Sequence, residues 1–215
     1  MSSVLAEQEG RVPLRVLYSR DHTTVWPGLG VFLAGPTPPE EQMLSGWRRV
    51  IIERLKADPR LDARMVVVAP EPESASWAAI ERHDGPVSLN RVHNKQIPWE
   101  WQYLRACDIT AFWLPTYWQA DLAEPFAANI GPTSRWEFGF YFQEYLRDPL
   151  RRSFIVGGPE DAEGVKWVRR LSESYRLEWH HLAKADKSLL VADSFIEAIV
   201  QALLKGAGFD TEANS

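Results

Sequence analysis

Three carboxylates stand where an α/β chain can use them: Glu100, Asp108 and Glu137. Glu137 belongs to Gly131-Pro132-Thr133-Ser134-Arg135-Trp136-Glu137-Phe138-Gly139, which follows an apolar run and a polar loop and opens an amphipathic helix. Pro132, Thr133 and Ser134 are helix-start residues, so the pattern sets Glu137 in the first turn, where unpaired amides favour an anion. Behind a parallel strand, such a turn faces the crevice at the strands' carboxyl ends, where these sheets bind ligands. A carboxylate held there can attack an electrophilic carbon. The same Ser134-x-x-Glu137 spacing also reads as a capping box, which contributes about 1 kcal/mol and no chemistry. Upstream, Glu100 follows Trp99 in a helix, and Asp108 comes two helical turns later, at the start of the next strand. Two carboxylates converging on one crevice divide labour: one attacks or stabilises positive charge, the other moves protons. For Asp108 a plainer alternative stands open, as a helix-end cap or the partner of Arg105.

These groups need elements to position them. Val31-Phe32-Leu33-Ala34, Met65 to Ala69, Ile109 to Leu114 and Ser153 to Gly157 are short apolar runs, the pattern of parallel strands buried on both faces. Leu177 to His180 is a short fifth candidate, and Arg11 to Ser19 alternates roughly as an edge strand or N-terminal extension would. Between the strands, Met43, Leu44, Trp47, Val50, Ile51 and Leu55 have helical spacing within 40–56. Further helices are predicted over 98–107, with Pro98 at the first position, and over 134–146, 160–174 and 193–204, the last closed by Gly206 and Gly208. Glu71 to Ile97, rich in Pro, Ser, Asn and charge, reads as a long functional loop or one that carries a short helix. The alternation predicts an α/β fold: a single-domain, flavodoxin-like or Rossmann-like sandwich with a central parallel sheet of about five strands and helices on both faces. Its expected bounds are an extension over 1–30, the domain over 31–208 and a tail over 209–215. Gly35-Pro36-Thr37 closes the first core strand with a tight turn that lets backbone and a hydroxyl approach a ligand.

Composition narrows the partners. A chain of 215 residues fits one domain with a real core, and a net charge of −5 argues against nucleic acid. Cys107 alone allows no disulfide framework and predicts a reducing cytoplasm. No run reaches the length of a membrane span, and the N-terminus lacks a signal-peptide core. Ten tryptophans imply an aromatic core or an aromatic-lined cleft. Trp99, Trp118 and Trp136 fall near the crevice, where one or two can stack on a flat ligand. His180 and His181 point to opposite faces if extended, and His83 and His93 have no second pair at ligand spacing, so no metal site is expected. Arg135 reads as a surface or salt-bridge residue, and Gly157-Gly158-Pro159 as a turn.

Taken in order, these pieces resemble the nucleoside 2-deoxyribosyltransferase-like family of N-glycosidic enzymes. The likeness runs from Val31-Phe32-Leu33-Ala34-Gly35-Pro36, through Trp99-Glu100 and Asp108-Ile109-Thr110-Ala111-Phe112-Trp113, to Thr133-Ser134-Arg135-Trp136-Glu137-Phe138-Gly139, about half the chain. The resemblance implies Glu137 as nucleophile on the anomeric carbon, with release of the base and a glycosyl-enzyme ester that water or a second base resolves. It implies that Glu100, eight positions before Asp108, sits near the base, and that Asp108 assists or positions the sugar. Gly35, Pro36, Thr37, Trp99, Thr133, Ser134 and Trp136 then line the substrate pocket, no cofactor or metal is required, and the protein is a homo-oligomer acting on a nucleoside or nucleotide. Two positions depart from the family pattern. Phe32 replaces a tyrosine that orients the nucleophile, leaving Tyr103, Tyr117 or Tyr141 as substitutes, and Gly131 replaces an acidic sugar-binding residue. Both departures favour the other reading, a non-catalytic nucleotide-binding or sensing module on the same fold.

Overall fold

A computed structural model describes residues 13–21, 23, 26, 28–38, 40–78, 89–114, 132–160, 165–182 and 190–208. Six strands form one sheet: β1 (Arg15–Leu17), β2 (Leu29–Ala34), β3 (Met65–Val68), β4 (Ile109–Trp113), β5 (Ser153–Pro159) and β6 (Trp179–Leu182). Every pairing is parallel, in the order β1-β3-β2-β4-β5-β6. Among the described residues five α-helices join them: α1 (Trp47–Ala57), α2 (Leu89–Ala106), α3 (Pro132–Arg147), α4 (Lys166–Ser174) and α5 (Asp193–Gly206). Without β1 the order is that of a flavodoxin-like sheet. The sandwich of strands and helices is thus the expected one, with six strands rather than five.

The apolar runs do not alternate in polarity because both faces are covered. Val31, Leu33, Val67, Ala111 and Trp113 pack with α1 and α5 on one side. Phe32, Ala34, Val66, Val68, Phe112 and Val156 pack with α2, α3 and α4 on the other. β1 adds to the β3 edge, with Leu17 opposite Val68, so the segment before the core joins the sheet as an edge strand.

Four helix starts differ from the sequence pattern, among them that of α4, which begins at Lys166 behind Val165 rather than at Glu160. The first helix begins at Trp47 behind a 3-10 turn over Glu40–Gln42, with Gly46 at its N-cap. Leu44, in helical phase with the apolar stripe, is largely exposed there. α2 begins at Leu89 and carries Pro98 in its interior. A proline lacks only one helical donor, and the helix runs through it, absorbing the last residues of the expected loop. α3 begins at Pro132, so Glu137 falls in the second turn rather than the first. Gly131, Tyr117, Trp118, His83 and the 209–215 tail lie outside the described residues, as do the side chains of His93, Thr133 and Arg135.

Candidate functional site

The chain steps from β2 to β3 on one side and then to β4, β5 and β6 on the other, so strand order reverses between β2 and β4. A crevice opens outside the carboxyl ends at such a switch point. A cavity of about 260 Å³ lies there, lined by Phe32, Ala34, Gly35, Pro36, Thr37, Pro70, Glu100, Ser134 and Glu137. Residues 105 positions apart thus share one wall.

Gly35 ends β2 at φ +141°, and a Cβ there would stand 2.1 Å from the Trp113 carbonyl oxygen. Only glycine lets β2 turn away so close to the end of β4. The Pro36 carbonyl accepts from Trp47 Nε1 at 3.1 Å. Beneath the turn is Arg48, 1 % exposed. Its Nε donates to Leu33 O at 3.0 Å, its Nη2 to Gly35 O, and its Nη1 to Thr37 Oγ1 at 3.3 Å and Glu71 Oε2 at 3.2 Å. Glu71 is fully buried just past β3 and also faces Arg49 Nε at 3.4 Å. A buried charge is tolerated only when paired and hydrogen-bonded, and the Arg48 guanidinium is paired with Glu71 and bonded to Leu33, Gly35 and Thr37 around the β2 turn.

Glu137 stands on α3 and Glu100 on α2, facing the same cavity. Burial, reinforced by the negative charge of Glu100, pushes the Glu137 carboxyl from 4.5 up to about 7, and the Arg48 guanidinium opposes that rise. Gln96 Nε2 donates to Glu100 Oε1 at 2.7 Å. Glu100 therefore accepts an amide hydrogen bond, while Glu137 holds its proton near neutrality.

Ser134 is buried inside α3 and lines the cavity. As the third helical residue it is no N-cap, and the capping-box reading of Ser134 and Glu137 falls. Asp108 is not brought to this site. It precedes β4, where its Oδ2 accepts from Gly30 N at 3.1 Å and its own N–H donates to Gly30 O at 3.0 Å. It clamps the amino ends of β2 and β4, about 17 Å of strand away from the crevice. Trp99 is core: its indole N–H donates to Asp21 O at 2.8 Å, and its ring packs on Tyr103 at 4.8 Å. Trp136, 53 % exposed, stacks on Trp101 and Phe140 between α2 and α3, away from the cavity wall.

Of the three tyrosines that could replace the family's orienting hydroxyl, Tyr103 is engaged with Asp21 O and Thr23 N, and Tyr117 lies outside the described residues. Tyr141, one turn beyond Glu137, has a buried hydroxyl with no hydrogen-bond partner among the described residues. Burial, then the Glu137 charge, holds that phenol well above its ordinary value. Arg48, Glu71 and Gln96 escaped the sequence reading. Arg48 was the legible one, since it falls in phase with Ile51, Ile52 and Leu55 on the buried face of α1.

A larger cavity of about 410 Å³ lies beside α4, walled by Lys166, Arg169 and Arg170 with Glu160, Glu173 and Trp179. Its Arg169 pairs with Glu173 at 2.8 Å across one helical turn. Among the described residues, no group of three His, Cys, Asp or Glu side chains is placed to hold a metal ion, and no helix is long and apolar enough to cross a membrane. No protein-family model matches the chain, and no curated protein matches it.

Proposed function

We propose that this protein cleaves the N-glycosidic bond of a nucleoside or nucleotide, passing the glycosyl group to water or to another base. The observation that carries the reading is the pair Glu100 and Glu137 on one cavity at the switch point, with Glu137 buried beside the charge of Glu100. The cavity of about 260 Å³ is close to the lower end of ligand pockets, roughly 300 Å³. In the first step a Glu137 oxygen bonds to the anomeric carbon, and the carbon–nitrogen bond breaks. Its electron pair leaves on the base nitrogen, which takes up a proton from water. Positive charge develops on the sugar only in the transition state, so a carboxylate beside it stabilises that state over the ground state. Glu100 assists at the base, and Gly35, Pro36, Thr37 and Ser134 shape the pocket. The chemistry needs no cofactor.

The family resemblance further supports a homo-oligomer. The test of function is base release by the purified protein, compared with its Glu137→Ala variant. The second reading, non-catalytic nucleotide binding, is favoured by Phe32, which brings no hydroxyl to the cavity wall. It predicts ligand-induced thermal stabilisation with no base released.

A further inference from the structure

Glu100 is held by a chain of groups that begins in the segment before the core. Gln96, one turn earlier on α2, donates from Nε2 to Glu100 Oε1 at 2.7 Å. Gln96 is only 6 % exposed, so protein groups fix its amide. Its Oε1 accepts a short hydrogen bond from Ser19 Oγ. Ser19, buried two residues beyond β1, donates its backbone N–H to Glu71 O at 3.0 Å, and Glu71 carries the Arg48 ion pair. A polar belt thus runs from α1 through the ends of β3 and β1 to α2, and it ends on Glu100. The donor directions agree along it: a serine hydroxyl satisfies the amide oxygen, leaving the amide nitrogen for a carboxylate. An exposed Gln–Glu pair one turn apart contributes only a few tenths of a kcal/mol to a helix, so helix stability gives no reason to bury one with a third partner from another strand.

We propose that Gln96, held by Ser19, is a positioning residue that fixes Glu100 on the cavity wall as a hydrogen-bond-accepting carboxylate, so that the strand preceding the core completes the site. This rests on the proposed function only for what Glu100 then does to a departing base. Glu137 from α3 and Arg48 from α1 are charged groups that face the same site.

The test is a carboxyl ¹³C NMR titration of the full-length protein, with the two resonances assigned by Glu100→Gln and Glu137→Gln. Gln96→Leu, which keeps the volume and removes the donor, is expected to raise the Glu100 midpoint by about one pH unit, tenfold in proton affinity. Ser19→Ala, a loss of one hydroxyl, is expected to move it in the same direction by less. The double variant should match Gln96→Leu alone, because Ser19 acts through Gln96. A Glu100 midpoint unmoved in either folded single variant, or effects that simply add, overturns the proposal. Titration needs no turnover. A protein that releases no base but shows the shift loses the proposed function and keeps this inference, and base release with an unmoved midpoint does the reverse.

Discussion

Glu137 combines burial with a neighbouring negative charge, and both act against its ionised form. Its carboxyl, ordinarily at 4.5, rises to about 7 in the folded protein, so folding binds the proton more tightly. The stability from that proton is complete below the ordinary value and is lost as pH rises through about 7. Glu137→Gln, neutral at every pH, should therefore be more stable than wild type in mildly alkaline solution, by roughly 1–3 kcal/mol given the partial exposure of the side chain. The advantage should vanish in acid. Urea denaturation at the two extremes checks this, and an equal difference at both would contradict it. In turnover the sign reverses: kcat/KM should rise with pH as Glu137 ionises through about 7. Glu100→Gln, by removing the like charge, should move that midpoint downward. Glu137 and Glu100 were legible in the sequence because motif order names them. Asp108 was assigned to the site from the family spacing, but a residue that starts a parallel strand stands at the amino ends, where here it ties β2 to β4.

At the scale of elements, the site is built where a helix, a turn and three strand ends meet, and Arg48 is the joint. Arg48→Ala would leave Glu71 charged and buried and would strip the donors from Leu33, Gly35 and Thr37. The expected loss is about 3–5 kcal/mol, read as a fall in the urea midpoint; a loss below about 1 kcal/mol would contradict the joint. Gly35→Ala puts a methyl 2.1 Å from the Trp113 carbonyl oxygen. Strand β2 or β4 must then shift, so the variant should be destabilised as well as inactive, and wild-type stability in it would remove the close approach from the account. Strand positions were legible because unbroken apolar runs mark strands covered on both faces. Helix starts were less so: Pro98 was read as a start although the helix runs through it, and α3 was started at Ser134 although it begins at Pro132. Those errors placed Glu137 in the first turn rather than the second and took Gln96 for the end of a loop.

For the whole molecule, the alternation of strands and helices sufficed to predict a parallel sheet with two covered faces. Only the pairing revealed that β1 belongs to it, because three residues of weak alternation carry little signal. The tryptophans divide by the same logic. Trp47, Trp99 and Trp113 are core, and their N–H groups find backbone acceptors. Trp136 stacks at the surface with Trp101 and Phe140, which composition could not foretell. The proposed homo-oligomer belongs to this scale. Sedimentation equilibrium should return a multiple of the 24.6 kDa chain, and a monomer's mass would refute it.

The measurement that bears most directly on the central claim is base release from a panel of ribo- and deoxynucleosides and their monophosphates, with and without an acceptor base. Wild type and Glu137→Ala would run side by side, the variant confirmed folded by circular dichroism. The account predicts release or exchange of base by wild type for at least one class and none by the variant. Undiminished release by Glu137→Ala, or substrates that bind wild type and stay intact, would contradict it.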